Sequence, residues 1–308
     1  MRRTDFEFDS RDGRTKLKAH IWEPDEGVAV TGILQIVHGM AEHSLRYEDF
    51  AEFLCENGYV VAAEDHLGHG ESIKDRTPGY FCKNNPASVV VKDVHRLKKI
   101  VEEKYPKLPY YILGHSMGSF ILRNYLFTYG KGIDGAIIMG TGMQPKLMVL
   151  GLCALANIGC IFGKADKPSM LIEKVGFSSY NNRIDKPLTQ YDWLSTNRSN
   201  IDKYMADPLS GFVFPCNGFK TLGGLLLRLY KKSNVEKMPV SLRVLITSGE
   251  EDPVGDYGQG PTKVYKQFVA EGMQKVSLKL YPGDRHEILN ETDKETVYND
   301  ILTWLSGE

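Results

Sequence analysis

The sequence predicts an α/β protein in which a largely parallel sheet is covered by helices on both faces. The prediction depends on continuously apolar runs, typical of strands buried on both faces, and on amphipathic helical stripes that alternate with these runs. In one long stretch the alternation stops, which predicts an insertion in the domain. The five buried-strand runs are GILQIVHG, YVVAAEDH, YYILGHS, GAIIMG and SLRVLITSG.

Other elements are predicted by periodicity. The segments FEFDS and TKLKAHIWE alternate apolar with polar residues, so they predict half-exposed antiparallel strands at the start of the chain. The helical stripes follow the spacing of a single helix face, and Gly58 is expected to end the first helix as a C-terminal cap. The stripes are Tyr47, Phe50, Ala51 and Leu54; Val90, Val94, Leu97 and Val101; and Val297, Ile301, Trp304 and Leu305.

Residues 141–238 show no strand–helix alternation and predict a cap inserted over one edge of the sheet. The core is accordingly expected in two parts, residues 1–140 and 239–308. Inside the insertion, the apolar run LMVLGLCALANIGCIFG covers 17 residues, just short of a membrane-spanning helix. We interpret this run as a cap helix packed on the core. The alternative is an acyl-binding wall that also makes transient contact with lipid surfaces.

The composition is ordinary for a globular protein. The 308 residues include 38 basic and 39 acidic side chains spread along the chain, so no nucleic-acid partner is expected. The N-terminus lacks the apolar stretch of a secretory signal. Five scattered cysteines without metal-ligand spacing predict a reduced, cytoplasmic protein without a bound metal. The oligomeric state is left open.

A serine lies between two glycines where the apolar segment YYIL meets the helix-compatible segment FILRNYLF. This strand–turn–helix setting is the one that a nucleophile elbow requires, so we predict that Ser116 is a catalytic nucleophile. Gly114 and Gly118 suit the sharp turn because neighbouring backbone passes where a Cβ would clash. Met117 would place its N–H at a helix N-terminus, facing negative charge that develops beside Ser116. A simple tight turn is the alternative.

A serine hydroxyl needs a base to remove its proton, and the elbow predicts the order serine, acid, histidine along the chain. Of the eight histidines, only His286 lies after Ser116, in a loop that follows the strand-like segment KVSLKLY. The acid is expected where SLRVLITSG ends, in the sequence EEDP. Because Pro253 stiffens the chain after Asp252, Asp252 is preferred and Glu251 is the alternative.

Two loops that follow buried strands contain further candidates. Gly39 allows the backbone to turn, so that the N–H of Met40 can stabilise the same oxyanion as the N–H of Met117. The loop DHLGHGES, residues 65–72, has two histidines, but the chain has no second cluster of metal ligands. We therefore expect this loop to be a rigid support whose side chains satisfy buried backbone groups.

The chain resembles a known family through the motifs HGMAEHSLRYEDFAEFL, DHLGHGES, LGHSMGS, SGEEDPV and YPGDRHEILNE. They are similar to those of the monoacylglycerol lipase and lysophospholipase family of α/β-hydrolases, especially its bacterial members. The resemblance implies an eight-stranded, mostly parallel sheet with an inserted cap domain, and it selects Asp252 over Glu251. The family roles fall on the nucleophile Ser116, the acid Asp252, the base His286 and the oxyanion amides of Met40 and Met117.

The resemblance also implies a reaction, the hydrolysis of a carboxylic ester through an acyl-enzyme, without cofactor or metal. The expected substrate is a small-molecule ester with an apolar acyl group, such as a monoacylglycerol or a lysophospholipid. A short-chain or aromatic-acyl esterase, a peptidase and an acyltransferase are alternatives, because fold alone does not fix function. A non-catalytic binding module is disfavoured because all three triad positions are filled. No cap residue is assigned to substrate binding.

Overall fold

The computed structural model describes residues 1–74 and 76–307. Its centre is an eight-stranded sheet with the strand order β1-β2-β4-β3-β5-β6-β7-β8. Strand β2 is antiparallel to both of its neighbours, β1 and β4. The six strands β3 to β8 are parallel to one another. The predicted α/β class is confirmed. The strands are β1 Arg2–Asp9, β2 Lys16–Glu23, β3 Gly32–Val37, β4 Tyr59–Glu64, β5 Tyr110–His115, β6 Gly135–Met139, β7 Arg243–Gly249 and β8 Val276–Tyr281.

Helices cover both faces of this sheet. One apolar layer joins it to α2, α3 and α9 through buried side chains such as Val94, Ile121 and Phe268. The opposite layer joins it to α1 and α10 through Phe50 and Ile301. Burial of each such side chain contributes about 1.5–3 kcal/mol to stability. The helices are α1 Glu48–Glu56, α2 Pro86–Lys104, α3 Met117–Tyr129, α4 Lys146–Ile161, α5 Met170–Phe177, α6 Arg198–Ala206, α7 Cys216–Leu229, α8 Lys232–Val235, α9 Gln259–Ala270 and α10 Lys294–Ser306.

Helices α4 to α8 lie between the end of β6 and the start of β7. Most of the predicted apolar run lies in α4. This helix packs closely on α7 of the insertion, where a Cβ on Gly223 would overlap the sulfur of Cys153, and it reaches the core through α7 instead of packing directly on it as expected. Helix α7 in turn packs on α3 of the core. Within the described residues, no helix combines the length and the apolar character needed to cross a bilayer. The boundaries of the cap at residues 141 and 238 stay a prediction.

Candidate active site

Ser116 occupies a strained turn between the end of β5 and the start of α3. Its backbone angles, φ 54° and ψ −121°, are rare for a residue with a side chain, and such a conformation costs about 1–3 kcal/mol. Two glycines make the turn sterically feasible. A Cβ on Gly114 would overlap the backbone of Gly118, and a Cβ on Gly118 would overlap the carbonyl oxygen of Val37. The turn thus has the conformation expected of a nucleophile elbow.

Asp252 and His286 meet at the carboxyl ends of the last two strands. Asp252 follows β7, His286 lies in the loop after β8, and Asp252 Oδ2 is 2.9 Å from His286 Nδ1. Both residues are buried. Asp252 also accepts hydrogen bonds from the N–H of Val254 at 2.8 Å and from the hydroxyl of Ser248 at 3.0 Å. Glu251 is exposed, so Asp252 is the carboxylate that contacts the histidine.

The environment of Asp252 favours its charged form. Burial alone would raise its pKa, but the charge and hydrogen bond of His286, and then the N–H of Val254, outweigh burial and lower the pKa of Asp252. An ionised Asp252 accepts the Nδ1–H of His286 and leaves Nε2 free to act as a base. The His286 ring also packs near two other rings, with centre-to-centre distances of 5.1 Å to Trp193 and 4.7 Å to His115.

Ser116 and His286 line the same cavity. Between these two described residues, no hydrogen bond joins the Ser116 hydroxyl to the His286 ring, and the ring contacts Asp252 through its other nitrogen, Nδ1. In substrate-free enzymes this bond is often long, and it shortens when the substrate binds. The structure therefore brings the three predicted triad residues to one site, with the contact between Asp252 and His286 made and the contact to Ser116 open.

Two backbone N–H groups near Ser116 are unpaired. Met117 is the first residue of α3, and Met40 lies in the loop after β3. Neither N–H donates a hydrogen bond within the part of the chain that the structure describes. Gly39 brings the Met40 loop close to the elbow, because a Cβ on Gly39 would lie only 3.0 Å from the Cβ of Ser116. These unpaired groups are the donors predicted for an oxyanion hole.

A buried ion-pair network, which no local sequence pattern predicts, connects the loop after β3 to the loop after β8. Arg46 contacts Glu42 at 2.8 Å and pairs through both terminal nitrogens with Glu287 at 2.7 Å. Glu42 also accepts a hydrogen bond from Tyr47 at 2.8 Å and contacts His115 at 3.3 Å. Burial opposes the charge on Arg46, but the carboxylates of Glu287 and Glu42 outweigh it and raise the pKa of Arg46. Loss of one partner from such a network typically costs about 3–5 kcal/mol.

The loop at residues 65–72 supports the site, as predicted. Asp65 accepts a hydrogen bond from the N–H of Glu71 at 2.8 Å, and the N–H of His66 donates to Nε2 of His38 at 3.0 Å. Burial lowers the pKa of His38 and of His69, in the second case to about 3. These imidazoles are therefore neutral. Among the residues that the structure describes, no group of three or more His, Cys, Asp or Glu is arranged to hold a metal ion.

A cavity of about 360 Å³ has Ser116 and His286 in its wall. Much of the wall is apolar and comes from α4, α5 and α7. The acidic residues in the wall are Glu42, Glu173 and Glu287, and no lysine or arginine is found among the described lining residues. The apolar residues from the three helices are Met148, Val149, Leu152, Leu155, Ile172, Val175, Phe177, Leu222 and Leu226. An apolar group can thus be bound next to Ser116.

The sheet order, the elbow after β5 and the loops after β7 and β8 define the class of this protein as a serine hydrolase of the α/β-hydrolase fold. Within that class, residues 29–293 match the model of a family described as serine aminopeptidase, S33. Because the match covers most of the chain, this protein belongs to that family, in agreement with the resemblance seen in the sequence.

Relatives and solved structures agree with this assignment. The chain is 26% identical to the monoacylglycerol lipase of Mycolicibacterium smegmatis, over 95% of this chain and 94% of that protein. It is 29% identical to the monoglyceride lipase of Rattus norvegicus, over 92% of this chain and 85% of that protein. The crystal structure of a thermostable carboxyl esterase from Bacillus coagulans with glycerol has a TM-score of 0.91 and 33% identity, covering 100% of this chain and 99% of that one. This protein is a serine ester hydrolase.

Proposed function

We propose that this hydrolase cleaves monoacylglycerol-type esters, in which a fatty acyl chain is joined to a neutral alcohol. The observation that carries the proposal is the cavity wall, which is apolar next to Ser116 and has no lysine or arginine among its described lining residues. Each CH₂ group buried there contributes roughly 0.8 kcal/mol to binding. A phosphate head group would find no cationic partner among the described residues of the wall, whereas an uncharged glycerol needs none. Relatives named monoacylglycerol lipases support the same choice.

In the proposed reaction Ser116 is the nucleophile, His286 is the general base, and Asp252 orients the histidine. His286 accepts the hydroxyl proton as the serine oxygen attacks the ester carbonyl. The negative charge that forms on the carbonyl oxygen is stabilised by the N–H groups of Met40 and Met117, and loss of one such donor typically raises the barrier by about 3–4 kcal/mol. His286 then protonates the departing alcohol, and water repeats these steps to release the acid.

The insertion between β6 and β7 is proposed to act as a cap with the predicted boundaries at residues 141 and 238. Helices α4, α5 and α7 supply much of the apolar wall, whereas the core elements supply Ser116, Asp252 and His286. Acyl preference is therefore assigned to the insertion and the chemistry to the core.

A comparison of ester substrates tests the proposed function. We expect kcat/KM for p-nitrophenyl esters to increase with acyl length above acetate, by up to about fourfold per buried CH₂. We also expect a 1-monoacylglycerol to be cleaved faster than a lysophosphatidylcholine with the same acyl chain. Release of free fatty acid measures both. A preference for the lysophospholipid or for aminoacyl amides would contradict the proposal, and a maximum at acetate would indicate a short-chain esterase.

We further propose that the insertion makes transient contact with lipid surfaces. The outer faces of α4 and α5 expose large apolar side chains, among them Leu147 at 83%, Ile161 at 80% and Met170 at 66% exposure. Apolar patches of this kind are typical of interaction surfaces. Helix α4 links the patch to the active site, because Met148 and Leu155 are partly exposed and also line the cavity. A fatty ester can therefore move from a bilayer into the cavity along α4.

Vesicle binding tests this contact. The substitutions Leu147→Glu and Ile161→Glu are each expected to weaken co-sedimentation with phosphatidylcholine vesicles about tenfold or more, since burial of such a side chain contributes about 1.5–3 kcal/mol. Hydrolysis of water-soluble p-nitrophenyl butyrate should be unchanged, because neither side chain lines the cavity. Val269→Glu, an equally polar change at an exposed position of α9, is the matched control. Vesicle binding that is the same in all three variants would contradict the proposal.

A further inference from the structure

Glu173 places a carboxyl group in the wall of the cavity, on a helix that otherwise contributes apolar side chains. It lies on α5 with Ile172 and Phe177, which also line the cavity. Its Oε2 atom is buried, and no described group makes a hydrogen bond with it. A buried carboxyl oxygen without a partner is unfavourable unless a ligand supplies the missing hydrogen bond. No step of the proposed mechanism uses this group.

The protonation of Glu173 indicates which ligand group suits it. Burial raises the pKa of Glu173 to about 7, so the acid and the carboxylate are both populated near neutral pH. A ligand hydroxyl can pair with either form, because a hydroxyl both donates and accepts hydrogen bonds. An ammonium group pairs only with the carboxylate and would itself lose its hydration among apolar side chains. The site therefore favours a neutral hydroxyl.

The position of Glu173 indicates which part of the ester carries that hydroxyl. The Trp193 ring lies 5.1 Å from the His286 ring, and the Tyr180 ring lies 4.9 Å from Trp193. Phe177 lies one helical turn after Glu173 on α5, and its ring is 5.3 Å from the ring of Tyr180. A continuous row of aromatic rings thus connects the cavity face of α5, which carries Glu173 and Phe177, with His286. The alcohol that His286 protonates leaves next to this histidine, and its remaining atoms can extend along the row of rings toward Glu173.

From this arrangement we infer that Glu173 is a specificity-determining residue that binds a free hydroxyl group on the alcohol part of the ester. The inference rests on the proposed function, because it takes His286 as the group that protonates the departing alcohol. It narrows the substrate class to esters of polyols and other hydroxyl-bearing alcohols, in preference to plain alkyl esters. The acyl-enzyme chemistry itself does not require Glu173.

A series of butyrate esters tests the role of Glu173. The alcohols are propanol, propane-1,3-diol and glycerol, so the three monoesters differ in the number of free hydroxyl groups on the alcohol part. In wild-type protein the hydroxyl-bearing esters are expected to have the higher kcat/KM. Glu173→Leu should lower this preference about tenfold, the effect of losing one hydrogen bond to a carboxyl group, while kcat/KM for the propyl ester stays equal or rises. Glu173→Gln retains a hydrogen-bonding group of the same size and should keep part of the preference.

Controls separate this inference from the proposed function. The preference is measured as the ratio of kcat/KM for each hydroxyl-bearing ester to kcat/KM for the propyl ester. Lys174→Gln, at an exposed neighbouring position, should leave these ratios unchanged. Glu173→Met replaces the leucine variant if circular dichroism shows that the latter does not fold. Equal ratios in wild type and Glu173→Leu would overturn the inference, whatever the absolute rate on the glycerol ester. A Glu173-dependent preference for the propanediol ester, without cleavage of the glycerol ester, would support the inference and contradict the proposed substrate.

Discussion

Replacing Ser116 with alanine is expected to lower kcat for p-nitrophenyl butyrate by about a millionfold, because the acyl-enzyme can no longer form. The fold should be retained. Alanine keeps the Cβ of serine, and the turn at φ 54° is set by the glycines and the helix around it. Circular dichroism and thermal unfolding check the fold, and initial rates at high enzyme concentration measure the loss of activity.

A fluorophosphonate probe gives an independent measurement of the same prediction. It should label Ser116 in the wild-type protein and label nothing in Ser116→Ala. Ser199→Ala, which removes an exposed hydroxyl in α6, should keep both the label and full activity. Wild-type turnover by Ser116→Ala, or a label that maps to another residue, would remove Ser116 from the mechanism.

The second large effect is expected at Asp252. Asp252→Asn preserves the shape of the side chain but replaces the oxygen that accepts the Nδ1–H of His286, 2.9 Å away in the structure. The amide can hold the histidine in the wrong tautomer, and such a change typically lowers kcat about 10⁴-fold. Steady-state rates on p-nitrophenyl butyrate measure this loss.

Glu251→Gln is the matched control for Asp252→Asn, because it makes the same chemical change at the adjacent residue. Glu251 is exposed and Asp252 is buried, so Glu251→Gln should leave kcat near the wild-type value. If instead Glu251→Gln produced the large loss and Asp252→Asn a small one, the acid of the triad would have to be reassigned to Glu251.

The features that could be predicted from the sequence are those with local causes. Strand β5 is a short apolar run, and the turn after it needs Gly114 and Gly118 because each lies against backbone atoms. Asp252 could be preferred over Glu251 because Pro253 directly follows it. The alternation of strands and helices predicts a largely parallel sheet, so the fold class was predictable as well, whereas the strand order was not.

The features that could not be predicted depend on contacts between distant parts of the chain. Arg46 and Glu287 are 241 residues apart, and neither lies in a pattern that predicts the other. Helices α5 and α6 are 8 and 9 residues long, too short to give a clear periodic stripe. Glu173 looks like an ordinary helix-surface charge in the sequence. Only the packing of the insertion reveals that it borders the cavity.

The link between Arg46 and Glu287 has a consequence for biosynthesis. A ribosome produces Arg46 and Ser116 well before Glu287 and the adjacent His286, and folding generally starts from the N-terminal side of a nascent chain. Until the segment that contains His286 and Glu287 emerges, the Arg46 guanidinium lacks one of its two carboxylates, and Ser116 lacks its proposed base. With His286 as the proposed base, activity and the pairing of the buried charges therefore arise together, when the segment that contains His286 and Glu287 docks.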